Sequence, residues 1–136
     1  MNKRELKLTE YGISSKRYKE LCGFCEQYPE WKIELENKDN TLKSKEISGI
    51  AVSTTGKSDP TADLAIKRSV LSKKCKIIEE CARKADEDLA EYIIKSVCYE
   101  QPFWYIRDIM MVPCSRAAFY DKRRYFFYLL NKEKSM

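Results

Sequence analysis

Apolar positions three and four residues apart run through most of this 136-residue sequence, and no strict apolar–polar alternation suggests a pair of strands. In KRYKELCGFCEQY, Leu21, Phe24, Cys25 and Tyr28 fall on one helical face, and Ser14 or Ser15 can cap the turn in front of them. Pro29 suits the start of a short second helix, PEWKIELEN, in which Trp31 and Leu35 are i and i+4 neighbours. Residues 1–37 therefore predict a helical hairpin. The pattern then lapses: residues 38–58 are dominated by Ser, Thr, Lys and Gly, with IAV as their apolar cluster, which predicts a linker of low order.

Periodicity resumes with Pro60 at the first position of a helix that Ser58 or Asp59 can cap. Leu64, Leu71, Cys75, Ile78, Ala82 and Ala85 keep one stripe apolar to its end, so this is the longest helix. A break near Ala85–Asp86 leads into EDLAEYIIKSVCYE, where Leu89, Ala90, Ile93, Ile94 and Val97 mark an amphipathic helix. Pro102 opens a short helix, FWYIRDIM, and Val112–Pro113 interrupts the chain before a last helix starting near Ser115. Three helices of about thirteen, seven and sixteen residues with tight breaks match a helix-turn-helix at 86–131. The expected fold is all-α: a front hairpin, a long central helix, and a C-terminal helix-turn-helix within a DNA-binding domain spanning 59–136.

Composition agrees with that class. The chain is 43% hydrophobic and 35% charged with four glycines, which suits a soluble helical protein. No apolar run approaches the roughly 20 residues that span a bilayer, and MNKRELKLTEYG lacks the apolar core of a signal peptide, so a cytoplasmic protein without a membrane partner is expected. The net charge of +5, from 26 basic and 21 acidic residues, says less than its distribution. From Cys114 to Met136 six bases face two acids, leaving a net +4 in the last segment, the footprint of a phosphate-contacting element.

Six cysteines and no histidine exclude a histidine-based triad and a Cys-His zinc finger. Cys22 and Cys25 form a CGFC pair, but Cys75, Cys81, Cys98 and Cys114 are scattered singly, so buried reduced thiols are expected and neither a metal nor a cofactor is called for. Asp86, Glu87 and Asp88 cluster at a helix start, where carboxylates suit the dipole; an enzyme is not expected.

The candidate site lies on the last helix. Phe119, Lys122, Phe126, Leu129 and Leu130 follow one face, with the Lys122 stem laid along the core. Arg116, Ala117, Tyr120, Asp121 and Arg124 follow another. That second face has an N-terminal arginine able to reach guanine O6 and N7 and a small residue permitting close approach. Lys122 and Arg123 flank it and suit phosphates, and Asp121 serves best by orienting Arg124. A merely solvated basic face and a protein-docking helix remain the alternatives on periodicity and charge. The aromatic surplus of Tyr125, Phe126, Phe127 and Tyr128 predicts an exposed apolar patch and hence a homo-oligomer, most simply a dimer.

The run IRDIMMVPCSRAAFYDKRR resembles the helix-turn-helix of phage-encoded RinA/ArpU-type transcriptional regulators, whose last helix carries a Ser-Arg-small-small-apolar-Tyr pattern followed by bases. Ser115, Arg116, Ala117, Ala118, Phe119 and Tyr120 occupy that pattern, and Lys122, Arg123 and Arg124 follow it. The helix is also similar to the promoter-reading helix in the fourth region of sigma factors, and CEQYPEWKIEL and SDPTADLAI resemble other parts of these phage proteins. Met111-Val112-Pro113 stands where such turns usually carry Gly. The resemblance implies a sequence-specific regulator of phage or prophage genes, an activator that holds double-stranded promoter DNA and touches RNA polymerase. A small-terminase-like packaging protein and a non-DNA interaction module are the competing readings.

Overall fold

In the computed structural model, which describes residues 10–36 and 60–135, Gly12 at φ +77° turns the chain into a helix that Ser14 caps. The Ser14 hydroxyl accepts the Arg17 amide proton at 3.1 Å, satisfying one of the donors a helix start leaves open. This helix, α1, is Ser15–Glu26. Gln27 alone separates it from α2, Tyr28–Glu36, whose second residue is Pro29. The 38–58 linker and the candidate caps Ser58 and Asp59 lie outside the described residues. Helix α3, Pro60–Ala85, is the longest at 26 residues, with Asp63 in its first turn and Arg83 and Lys84 in its last, as the helix dipole favours.

Three further helices follow: α4, Ala90–Val97; α5, Phe103–Asp108; and α6, Arg116–Ser135. Their lengths of 8, 6 and 20 residues correct the expected thirteen, seven and sixteen. Helix α4 starts late because Asp86 forms its own turn, its carboxylate accepting the Asp88 and Leu89 amide protons at 2.9 and 3.2 Å. It stops early because Glu100 takes a left-handed φ of +54°. Helix α6 runs long because Lys132 and Lys134 in its last turn suit the C-terminal dipole. Between α5 and α6, Met111 adopts φ +58°, the conformation glycine usually supplies, and the Val112 amide closes the turn on the Ile106 carbonyl at 3.1 Å. Ser115 then caps α6, its hydroxyl accepting from the Ala118 amide at 3.1 Å.

Helix α2 runs antiparallel to α3. The Tyr28 hydroxyl donates to Glu79 at 2.6 Å, Lys32 stands 3.6 Å from the same carboxylate, and Glu34 pairs with Lys67, more than three turns back along α3, at 3.1 Å. Helix α6 packs against α3, and Lys122 reaches Asp86, just past the end of α3, at 3.8 Å. The expected stripe of α3 is buried throughout, as are Leu89, Ile93 and Val97 of α4. One buried cluster runs from Ile13 through Leu21, Cys25 and Trp31 to Ile106, Phe119 and Leu130. The front hairpin and the helices from Pro60 onward, drawn as separate units on the sequence, therefore share a core.

Phe127 departs from expectation. It is fully buried, edge-on to Tyr18 at 5.0 Å and to Phe126 at 5.3 Å, because α6 packs against α1 as well as α3. Tyr128 also finds cover, with its ring 5.1 Å from Tyr11 and stacked on Tyr125 at 6.0 Å. The aromatic surplus is thus mostly internal, and the large exposed apolar side chains of the C-terminal region include Trp104, Ile109 and Met111. Cys25 is buried against Cys98, whose hydrogen bond, with burial second, holds the Cys25 thiol well above its ordinary pKa. Among the described residues no helix is long and apolar enough to cross a membrane.

Candidate nucleic-acid interface

Cations and rings alternate where α5 meets the first half of α6. The Arg107 guanidinium stands 5.9 Å from the centroid of Phe103, and that of Arg116 stands 5.5 Å from the same ring. Arg116 is also 5.4 Å from Tyr120, whose ring lies 5.8 Å from Arg123; Arg123 is 5.3 Å from Phe127. A guanidinium is drawn to the negative face of an aromatic ring, so each ring fixes where a charge stands. The rings brace one another, with Phe103 and Tyr120 at 5.9 Å and Phe103 and Phe119 at 5.7 Å.

The helix register explains the order. At 3.6 residues per turn, position i+7 returns to within about 20° of position i, whereas i+8 lies about 80° away. Arg123 is therefore in line with Arg116, and Arg124 is not. Arg124, expected on the DNA-facing surface, is 7% exposed, and its guanidinium is held by Asp121. The orienting pair was legible; its place at a base-reading surface is corrected by burial.

Arg123 is likewise turned inward, not outward to a phosphate. Its Nε donates to the Ser96 hydroxyl at 3.1 Å and its Nη1 to the Tyr18 hydroxyl at 3.2 Å, joining α6 to α4 and α1. Burial pushes the Tyr18 hydroxyl up from its ordinary pKa, against the pull of this guanidinium. Tyr120 is half-buried and supports the arginines on either side.

The surface that faces outward is the first turn of α6. Ser115, Arg116, Ala117 and Asp121 are exposed, and Arg116 makes no ion pair or hydrogen bond among the described residues. Lys122 is 44% exposed in its side chain and loosely paired with Asp86. Arg107 joins this edge from α5. Its Nε and Nη2 donate to Asp108 at 2.7 and 3.0 Å, and that hydrogen-bonded guanidinium holds the Asp108 carboxyl below its ordinary pKa. Sequence reasoning missed Phe103 and Arg107. Their i and i+4 spacing in FWYIRD was visible, but nothing in the periodicity of one helix shows that it meets another across a loop.

Among the described residues no group of three or more His, Cys, Asp or Glu side chains is placed to hold a metal ion. Chemically the edge offers donors and positive charge on a braced platform, beside a capped helix start whose own dipole is positive. No protein-family model, no curated protein and no solved structure matches the chain.

Proposed function

We propose that this chain is a sequence-specific double-stranded-DNA-binding regulator that uses α4, α5 and α6 as a helix-turn-helix and presents the start of α6 to the major groove. The observation that carries the reading is the shared Phe103 ring, which brings Arg107 of α5 and Arg116 of α6 to one edge beside the exposed first turn of α6. Arg116 is the base reader, with a fork that matches guanine O6 and N7, and Ala117 allows the backbone to approach. Arg107, hydrogen-bonded to exposed Asp108, and Lys122, 3.8 Å from half-buried Asp86, exchange those partners for phosphates. Ser115 holds the helix start, Tyr120 supports Arg116, and Asp121 keeps Arg124 neutralised.

The resemblance to phage-encoded RinA/ArpU-type regulators supports a promoter of phage or prophage genes as the target, with activation as the outcome. Trp104, Ile109 and Met111 offer apolar surface for a protein contact such as RNA polymerase. One such motif reads few base pairs, so two copies binding paired half-sites complete the proposal.

Selection of bound sequences from a random duplex pool tests it. The expected result is an enriched motif containing an invariant G·C pair, repeated about 10 base pairs apart. A pool that binds uniformly, or not at all, would remove the reading.

A further inference from the structure

Between α1, α4 and α6 the surface dips into an open cleft of about 270 Å³. Glu26 of α1, Ser96 of α4, Glu100 and Gln101 of the following turn, and Tyr120 and Arg123 of α6 line it. The turn is well defined: Glu100 sits at φ +54°, and the Gln101 amide donates to the Lys95 carbonyl at 3.1 Å.

Arg123 is the unusual member. Both of its hydrogen-bond acceptors, the hydroxyls of Ser96 and Tyr18, are neutral, and it makes no ion pair among the described residues. Its Nη2 has no hydrogen-bond partner among them either. A guanidinium fixed at Nε and Nη1 and held against two rings has already lost its rotamer freedom, so an anion that meets Nη2 gains a charge-assisted bond without ordering the side chain. Two exposed carboxylates, Glu26 and Glu100, share the lining.

The charges select the ligand. One cation and two anions repel a polyanion such as a nucleic-acid backbone, and they leave a simple anion poorly held. A simple amine has no use for Arg123. A molecule bearing both charges satisfies all three groups. Ligand sites of roughly 300–1,000 Å³ take drug-sized molecules, so this smaller cleft suits something of amino-acid size. We propose that the cleft binds a small basic amino acid, with its carboxylate on Arg123 Nη2 and its two ammonium groups facing Glu26 and Glu100. This site is independent of the DNA reading.

Titration of the ¹⁵N-labelled full chain with L-lysine, acetate or ethylammonium tests it. Lysine should shift the Ser96 and Gln101 amide resonances saturably, with a dissociation constant of about 1 mM or tighter. Acetate and ethylammonium should not. Arg123→Gln should weaken lysine binding by about tenfold or more, the scale of a lost charge-assisted bond. Because Arg123 also joins three helices, Glu100→Gln on the exposed turn is the second variant; it should weaken lysine binding severalfold at an unchanged melting temperature. The proposal is overturned by absence of a saturable lysine shift up to about 10 mM, or by acetate or ethylammonium alone matching lysine. It is equally overturned by Glu100→Gln binding lysine like the parent.

Discussion

Arg116→Ala isolates the proposed base-reading step, because Arg116 is exposed and, among the described residues, its guanidinium is held by the rings of Phe103 and Tyr120 and by no ion pair or hydrogen bond. A surface substitution of this kind shifts stability by no more than about 0.5 kcal/mol, so a binding defect will not be a folding defect in disguise. Loss of a bidentate contact to guanine costs about 1–3 kcal/mol, or roughly 5- to 150-fold in affinity on the selected duplex, with little change on random DNA. The salt response should separate the roles. If Arg107 and Lys122 supply two phosphate contacts per copy, the slope of log affinity against log salt on a duplex carrying one half-site is about −1.8, roughly a twelvefold loss between 50 and 200 mM. Arg116→Ala should leave that slope intact, whereas Arg107→Ala should flatten it by about 0.9. Fluorescence anisotropy with labelled selected and scrambled duplexes measures both quantities. Arg116→Lys completes the test, since lysine keeps the charge but loses the planar fork. Equal losses on both duplexes for Arg116→Ala, together with full rescue by Arg116→Lys, would refute the assignment and make Arg116 a phosphate clamp.

Three further outcomes follow from the packing. Phe127→Ala removes a fully buried ring wedged between Tyr18 and Phe126 and should cost about 3–5 kcal/mol, or about 15 °C in Tm by calorimetry; a shift under about 3 °C would mean that α1 does not pack on α6. Burial pushes the Cys81 thiol up to about 12. The unfolded chain releases this proton from about pH 9 while the folded chain keeps it, so stability is intact below that pH and falls by at most about 1.4 kcal/mol per unit up to about pH 12; urea midpoints measured across this window should fall less steeply for Cys81→Ala. Sedimentation at micromolar concentration should show a dimer that Tyr125→Glu, on the exposed edge of α6, shifts toward monomer; a parent chain that binds a single half-site tightly as a monomer would remove the pairing.

What was legible in the sequence was local. The α3 stripe from Leu64 to Ala85, the Ser14 cap, the start of the last helix near Ser115 and Pro60 at a helix start depend on neighbours within about four residues, where periodicity and capping chemistry act directly. What escaped depended on a second element. Phe127 looked surplus because the core face of α6 was drawn for one neighbour, and α1 supplies another through Tyr18. Met111 shows the same limit at a turn: it takes the left-handed conformation that glycine takes freely, at a cost of about 1–2 kcal/mol, while Val112 beside it and Phe103 of α5 are buried in the shared core.

The paired arginines at 123 and 124 carry this furthest. Charge alone leaves both as candidates, and the helical period prefers Arg123 as the one in line with Arg116. Being in line, however, brings Arg123 under Tyr120 and within reach of the Ser96 and Tyr18 hydroxyls, while Arg124, off the line, is buried with Asp121. Neither meets a ligand that lies along the outer face of α6. Of the basic run that drew attention to this helix, Arg123 joins it to α1 and α4 and Arg124 is buried with Asp121, so the cations left for the proposed duplex are Arg116 in the first turn of α6, Arg107 in the short helix before it, and Lys122. The shared Phe103 ring holds Arg107 and Arg116 at one edge of the α5–α6 junction, so the proposed duplex contact engages both together, and loss of either should weaken it.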